Sequence, residues 1–217
     1  MGAMPRPSAA EAHATGVPMR SLVAGEITWP GIFGMLQFAD AAPGESFLDC
    51  GAGHGRAVAA FSLAFGGRSC GVEIRPRLVK TAQQCLAELQ RSRTAWIARD
   101  FASLDTVDAA VMPATDADVL LGDIFAPELD WCEWDIVLVN ATGFDDNLML
   151  RCSQKLHATQ VPPQLAETAG RGRQRSRRGR RVLVLSQPLP PPCPAPVSHR
   201  TFKMSWGQCT VFLYQQQ

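Results

Sequence analysis

The chain has 217 residues with a formal net charge of +1; 46% of the residues are hydrophobic and 19% are charged. This length fits one domain with a complete hydrophobic core, and the composition excludes a disordered chain or a coiled coil. No apolar run approaches the roughly 20 residues of a membrane span, so we expect a soluble protein.

The near-neutral net charge conceals one strongly basic segment at residues 171–181, which contains seven arginines and no acid. Without these seven, 14 of the 21 basic residues remain against 20 acidic ones, so the rest of the chain is acidic. The body of the protein is therefore not a general nucleic-acid binder. The seven cysteines are odd in number and form no C-x-x-C pair, which indicates a reducing compartment and no metal site.

The first segment, residues 1–20, is rich in Ala, Pro and Met and shows no period, so we expect a flexible N-terminal arm. It lacks the continuous apolar core of a secretory signal. Arg6 and Arg20 are thin support for a mitochondrial presequence.

From residue 31 onward the apolar residues alternate between helix and strand spacing. Helices are predicted at residues 31–39, around Val58, Phe61 and Phe65, from Pro76, and at 145–156. Strands are predicted at residues 46–50, 69–74, 119–125, 135–140 and 182–185, followed by an antiparallel hairpin of 202–206 and 209–214. Residues 93–117 are ambiguous: Trp96 and Ile97 are compatible with a strand and 103–112 with a helix. The alternation predicts an α/β fold, a doubly wound, mainly parallel Rossmann-like sheet with its strand ends on one edge.

A glycine-rich loop with the spacing Asp-x-Gly-x-Gly-x-Gly follows the first predicted strand, with members Asp49, Gly51, Gly53 and Gly55. Glu73 ends the second strand, where the ribose hydroxyls of an adenosine need an acceptor. An acid directly before the loop suits a cationic amino group better than a pyrophosphate, which requires bare N–H groups. The pattern therefore favours S-adenosylmethionine as cofactor over NAD or FAD, or over a turn without a ligand.

Two further strand ends carry polar side chains. Asp123 follows the third strand, where its carboxylate can accept from an adenine amine while Ile124 or Phe125 packs on the ring. Asn140 follows the fourth strand and faces the predicted crevice beside the reactive methyl group. An Asn that only caps the turn is the alternative.

Several segments occur together in one order, and together they resemble the catalytic domain of the disruptor-of-telomeric-silencing (Dot-type) histone-lysine methyltransferases. These are residues 25–28, 49–55, 71–73, 122–125, Val139-Asn140 with Phe144, and 205–207. The resemblance covers about residues 22–214 and implies a methyltransferase domain at 21–217, with an Arg-rich insertion at about 157–181. It implies a class I methyltransferase whose cofactor contacts are Glu26, Thr28, Asp49, Gly51, Gly53, Glu73 and Asp123. It also implies that Asn140, Phe144, Trp206 and Phe212 line a narrow lysine channel.

The sequence departs from that family in two places. Ala141 stands where a second Asn commonly follows the first, and Phe212-Leu213-Tyr214 replaces a tyrosine pair. We therefore expect a channel without this hydroxyl. An apolar channel that ends at a sulfonium cation would lower the pKa of the acceptor lysine, so no side-chain base is required.

The Arg tract falls between the fourth-strand helix and the fifth strand, so it is predicted at the edge opposite the active site. Its arginines either contact DNA phosphates or act as a nuclear localisation signal; a solvated insertion is the alternative. The members are Arg171, Arg173, Arg175, Arg177, Arg178, Arg180 and Arg181.

Together these features predict an S-adenosylmethionine-dependent protein-lysine methyltransferase with a histone or nucleosome as its leading partner. A non-histone lysine or a small molecule is the alternative acceptor, and a non-catalytic nucleic-acid-binding module is the alternative from another class. The compartment is predicted as nuclear or cytoplasmic, with the nucleus favoured and the mitochondrion the less supported choice.

Overall fold

The computed structural model describes residues 6–22, 25–101, 116–158 and 179–216. Within them, one seven-stranded sheet has the order β3-β2-β1-β4-β5-β7-β6. Its strands are β1 Phe47–Cys50, β2 Ser69–Glu73, β3 Ala117–Leu121, β4 Ile136–Val139, β5 Arg180–Leu185, β6 Ser198–Met204 and β7 Gly207–Gln216. The helices are α1 Ala9–Thr15, α2 Trp29–Phe38, α3 Arg56–Phe65, α4 Pro76–Phe101 and α5 Asp146–Ala158.

Strands β1 to β5 pair in parallel, and β7 pairs antiparallel with both β5 and β6. The predicted α/β fold with a doubly wound, mainly parallel sheet and a C-terminal hairpin is confirmed. The chain leaves β1 towards β2 on one side and returns through β4 on the other side. The carboxyl ends of β1 and β4 therefore form the switch-point crevice where ligands bind in such sheets.

Apolar side chains cover both faces of the sheet, as a parallel sheet requires. On one face, α5 packs over β4 and β5, with Trp131 and Trp134 buried beside them. On the other face, α2 and α3 cover the sheet, and Phe47 stacks on Phe61 with ring centroids 4.8 Å apart. Burial of each such side chain stabilises the fold by about 2 kcal/mol, so the strands at the site rest on a rigid base.

The segment predicted as a flexible arm contains regular structure. Helix α1 begins after Ser8, which forms a capping box with Glu11. The Glu11 carboxylate also accepts from the buried Arg75 guanidinium, with Nε 3.2 Å from Oε1. The prediction missed this helix because its anchor, Arg75, is distant in sequence.

Helix α4 and strand β3 differ from their predicted bounds. Trp96 and Ile97, assigned to a strand, lie in α4, so that prediction is wrong. The predicted helix at 103–112 lies outside the described residues. Strand β3 ends at Leu121, before Gly122 and Asp123 turn the chain away, so residues 122–125 are not strand.

The end of the Arg tract belongs to the sheet. Arg180 and Arg181 open β5 and are 9% and 3% exposed. Arg181 donates to the Ala39 and Asp40 carbonyls and to Glu45 Oε1, the last over 2.6 Å. The prediction that these two arginines contact DNA is therefore wrong, because burial and internal partners remove them from any surface. The other five arginines lie outside the described residues.

Among the helices of the described ranges, none has both the length and the apolar character that crossing a bilayer requires.

Candidate active site

The glycine loop lies where it was predicted, between β1 and α3. Gly51 has φ of +87° and Gly55 has φ of +74°, a left-handed backbone that other residues rarely adopt. A Cβ on Gly55 would approach a Val119 methyl to 3.2 Å. No side chain caps the start of α3, so its first N–H groups remain available to a ligand.

Asp49 is the penultimate residue of β1, close to the start of this loop, and is only 4% exposed. Burial raises its pKa to about 7, and the neighbouring Glu73 carboxylate adds to the shift. Among the described residues, no side chain donates a hydrogen bond to its carboxylate. A buried acid in this state is suited to a cationic ligand group, which would restore its charge and satisfy its oxygens.

Glu26 contacts two basic side chains at the same edge of the sheet. Its Oε1 lies 3.0 Å from His54 Nδ1, and its Oε2 lies 3.0 Å from an Arg56 amino nitrogen. All three side chains are less than one fifth exposed. Glu26 was predicted as a cofactor contact, whereas no role was predicted for His54 or Arg56. One signal was available: an arginine in the first turn of a helix opposes the helix dipole, which indicates a carboxylate partner from elsewhere in the chain.

One pocket brings several of the predicted residues together. Its lining consists of Gly25, Glu26, Ile27, Ile32, Asp49, Gly51, Ala52, His54, Arg56, Ala57 and Asn140. It therefore combines two acids, two basic side chains and a neutral amide. Oxygen and nitrogen groups of both signs suit a zwitterionic ligand.

Glu73 lies behind the pocket as a buried support for the loop. Its Oε2 accepts from the Gly53 N–H over 2.9 Å and its Oε1 accepts from the Arg75 N–H over 2.9 Å. Each carboxylate oxygen has more than one acceptor site, so these bonds leave capacity for ligand hydroxyls. Thr28 also acts structurally: it caps α2 by accepting from the Gly31 N–H and donates to the Lys203 carbonyl.

The turn after β3 places its three predicted residues outside the lining of this pocket. Asp123 is exposed; its Oδ1 accepts from the Phe125 N–H over 2.9 Å, and its Oδ2 lies 3.5 Å from Arg151. The Arg151 guanidinium also lies 4.0 Å from the centroid of the Phe125 ring. Ile124 is buried in the core. An adenine role for this turn therefore stays a prediction.

The predicted channel residues come from three parts of the chain. Asn140 lines the pocket, and Phe144 packs against the core below it. Trp206, at the β6–β7 turn, covers Gly25, where an added Cβ would lie 2.1 Å from the indole ring. Phe212 faces the core, with its ring 5.9 Å from that of His199. The closed approach of Trp206 to Gly25 joins the hairpin to the pocket wall.

Within the described ranges, no group of three or more His, Cys, Asp or Glu side chains is arranged to hold a metal ion.

A model of the family described as "Histone methylation protein DOT1" matches residues 15–163, which is more than half of the chain. That range includes the whole pocket lining. A comparison with curated proteins finds no match.

Solved structures with the same fold include an RNA methyltransferase from Salinibacter ruber in complex with S-adenosyl-L-homocysteine. It is 20% identical with a TM-score of 0.54, over 88% of this chain and 95% of that one. TrmN from Thermus thermophilus is 18% identical with a TM-score of 0.59, over 91% of this chain but only 52% of that one. MtNAS in complex with MTA and tNA is 15% identical with a TM-score of 0.50, over 87% and 60%. At these identities the likeness establishes the fold and leaves the substrate open.

Proposed function

This chain belongs to the DOT1 family of histone methylation proteins, and on that premise we propose that it is an S-adenosylmethionine-dependent methyltransferase acting on a protein lysine amine, with histone as the leading acceptor. The observation that carries the proposal is Asp49, a buried carboxylate that no described side chain donates to, in a pocket that also contains Glu26, His54 and Arg56. The structural relatives crystallised with S-adenosylhomocysteine or MTA support the choice of cofactor.

The pocket residues fit the amino-acid end of this cofactor. Asp49 would hold the α-ammonium group, because an ionised partner satisfies a buried carboxylate. Arg56, at the open start of α3, would face the α-carboxylate, as anions favour helix N-termini. Glu73 would accept from the ribose hydroxyls while it keeps the loop in place.

When bound, S-adenosylmethionine would supply an electrophilic methyl group to the lysine nitrogen, with the thioether sulfur as leaving group and the lysine proton lost to solvent. The protein's contribution is alignment. Asn140 lines the pocket and offers donor and acceptor groups without competing as a nucleophile. Trp206 and Phe144 would exclude water beside it, which favours the neutral form of the lysine.

Calorimetry with S-adenosylhomocysteine tests the cofactor assignment. The unmutated protein should bind, and Asp49→Asn should weaken binding about 100-fold, because it removes a buried charge-assisted bond of about 3 kcal/mol. Glu88→Gln is the matched control, since that carboxylate lies on the surface of α4 with its side chain 66% exposed. Absence of binding by the unmutated protein would contradict the cofactor; unchanged binding by Asp49→Asn would contradict its role.

A labelled methyl donor identifies the acceptor. Nucleosomes, free histones and whole-cell extract should each be incubated with the protein and with Asn140→Ala as the control. Label on histone lysines supports the leading acceptor, whereas label only outside the histones replaces it with a non-histone protein or a small molecule.

Arg171, Arg173, Arg175, Arg177 and Arg178 are proposed to contact nucleosomal DNA phosphates in a nuclear protein. Deletion of residues 171–178 spares the buried Arg180 and Arg181. It should weaken nucleosome binding in a salt-dependent way and leave the affinity for S-adenosylhomocysteine unchanged. Equal nucleosome binding by both proteins would favour a solvated insertion.

A further inference from the structure

A pair of hydroxyl groups meets Asn140 at the carboxyl edge of the sheet. Thr142 Oγ1 donates to Asn140 Oδ1 over 2.8 Å, and Ser186 Oγ lies 2.8 Å from Thr142 Oγ1. Thr142 follows β4 and Ser186 follows β5, so two neighbouring parallel strands deliver the pair. Neither hydroxyl was selected by the sequence pattern.

The number of protons available decides which hydroxyl donates in each of these hydrogen bonds. A hydroxyl group has one proton to donate, and that of Thr142 is used on Asn140. Ser186 must therefore donate to Thr142. The bonds run from Ser186 through Thr142 to the Asn140 carbonyl oxygen. Both hydroxyl-bearing residues are exposed, so Thr142 holds the Asn140 amide in competition with water.

The two hydroxyls act on the pocket through Asn140. Asn140 is part of the pocket lining, whereas Thr142 and Ser186 are outside it. With its oxygen bonded to Thr142, the Asn140 amide is held in one of its two flipped orientations. Its second oxygen lone pair stays available to an N–H donor.

The backbone at Ser186 is strained in a way that serves this contact. Ser186 has φ of +77°, and in the described ranges the one other non-glycine residue with positive φ is Asp40, after α2. The Ser186 N–H donates to the Thr210 carbonyl over 2.8 Å, and its Oγ lies 3.4 Å from Cys209 Sγ. The adjoining strand β7 therefore holds Ser186 in a conformation that costs on the order of 1–3 kcal/mol.

We infer that Thr142 and Ser186 are positioning residues for methyl transfer, which fix the Asn140 amide so that its oxygen can accept an N–H of the incoming amine. This inference rests on the proposed methyltransferase function. A fixed acceptor orients the amine so that its lone pair points towards the methyl group. The gain appears in the transfer step and not in cofactor binding.

Hydroxyl removal tests the inference with whichever acceptor preparation carries label. Thr142→Val, nearly equal in shape, and Ser186→Ala should each lower kcat about tenfold with KM for S-adenosylmethionine within twofold. Thr142→Ser keeps the hydroxyl and should restore most of the activity. Thr201→Val is the control. The Thr201 hydroxyl makes a similar contact, 3.4 Å from the Thr210 hydroxyl on the hairpin, but it forms no hydrogen bond with Thr142, Ser186 or Asn140. Unchanged kcat in Thr142→Val and Ser186→Ala would overturn the inference.

Ser186→Gly separates positioning from folding, since the two roles predict opposite signs. Glycine adopts positive φ without strain, so the variant should raise Tm by about 2–4 °C while kcat falls as in Ser186→Ala. If activity instead followed stability and rose, the hydroxyl would have no positioning role.

A spectroscopic measurement removes the dependence on an acceptor. The side-chain NH₂ signals of Asn140, assigned by their loss in Asn140→Ala, should exchange with water more slowly in the unmutated protein than in Thr142→Val. Equal exchange would overturn the inference. A protein that fails to methylate any preparation but shows slowed exchange would contradict the proposed function and leave the hydroxyl network intact.

Discussion

Two buried carboxylates lie near opposite ends of strand β1 and differ in their partners. Glu45 precedes the amino end of the strand and is 6% exposed, and Asp49 lies at the carboxyl end and is 4% exposed. Glu45 meets the Arg181 guanidinium at 2.6 Å, whereas no described side chain donates to Asp49. Equal burial thus produces a structural ion pair at one edge and a binding group at the other.

The amino edge is organised as an internal network. Arg181 also donates to the last carbonyls at α2, Ala39 and Asp40, over 3.1 and 3.0 Å. Ser46 donates to Asp135 and accepts from its N–H. These bonds tie β5 and the residues just before β1 and β4 to the segment after α2, so the network stabilises the fold and offers nothing to a ligand.

The carboxyl edge is organised around a pocket. Glu26, Asp49, His54 and Arg56 all line one cavity, where two acidic and two basic side chains come together. Burial without a partner such as Arg181 raises the pKa of Asp49. Both acids are buried, so burial does not distinguish the functional acid from the structural one. The difference is that the functional acid has carboxylate oxygens that no described side chain satisfies.

The largest expected effect is a loss of stability when the ion pair at the amino edge is removed. Arg181→Met should lower the free energy of unfolding by about 3–5 kcal/mol, because it leaves Glu45 buried without its partner. Urea denaturation measures the loss, and calorimetry on the folded protein should show S-adenosylhomocysteine affinity within twofold of the unmutated protein.

The double variant Arg181→Met with Glu45→Leu serves as the matched control. Because it removes both charges, it should recover most of the stability. A double variant no more stable than the single one would show that the helix carbonyls, and not Glu45, depend on Arg181.

The next effect concerns pH at the carboxyl edge. The folded pKa of Asp49 is about 7 against its ordinary value of 3.8, so between these two pH values the free folded protein holds a proton that the unfolded chain has released. Its stability should therefore fall as the pH rises from about 4 to about 7, by on the order of 4 kcal/mol, and stay level above. A ligand ammonium group needs the ionised acid, so affinity should run the other way.

Calorimetry at pH 5, 6, 7 and 8 checks this sign. Affinity for S-adenosylhomocysteine should rise up to about tenfold per pH unit below pH 7, where binding releases one proton, and should level above pH 7, where that release ceases. Asp49→Asn should flatten the profile between pH 5 and 7. A profile equally steep in that variant would assign the dependence to another group.

The smallest expected effect is the loss of one hydrogen bond at the amino edge. Ser46→Ala removes the hydroxyl that lies 2.7 Å from Asp135 and should cost about 1–2 kcal/mol in urea denaturation, with no change in ligand affinity. The single variant Glu45→Leu should lower the free energy of unfolding by more than Ser46→Ala does, because it leaves the buried Arg181 charge without its carboxylate. A change in affinity with Ser46→Ala would mean that the two edges are coupled through β1.

Much of the fold was predictable because its signals are local. The run from Ile136 to Val139 gave a central parallel strand, and Pro76 marked the start of α4. Predictions failed where a distant partner decides: Arg181 reads as part of a basic tract until Glu45 is placed beside it. Helix α1 was missed because Arg75, which binds it, lies 64 residues away.

The candidate site divides in the same way. Asp49, the glycines and Asn140 were selected because parallel strands always bring their carboxyl ends together. His54 and Arg56 were missed because their role depends on Glu26, which is 28 residues from His54. Thr142 and Ser186 are also joined only through the sheet, over a separation of 44 residues.

The sequence by itself determined the alternation of elements, the loop and the acids at the strand ends, because apolar periodicity and glycine spacing are properties of short segments. The tertiary structure alone decided which charges are satisfied. Glu45 and Asp49 are four residues apart and equally buried, and only the packing of β5 against β4 supplies an arginine to the first. Desolvation depends on where the whole chain excludes water, and that sum over distant residues is absent from any local pattern.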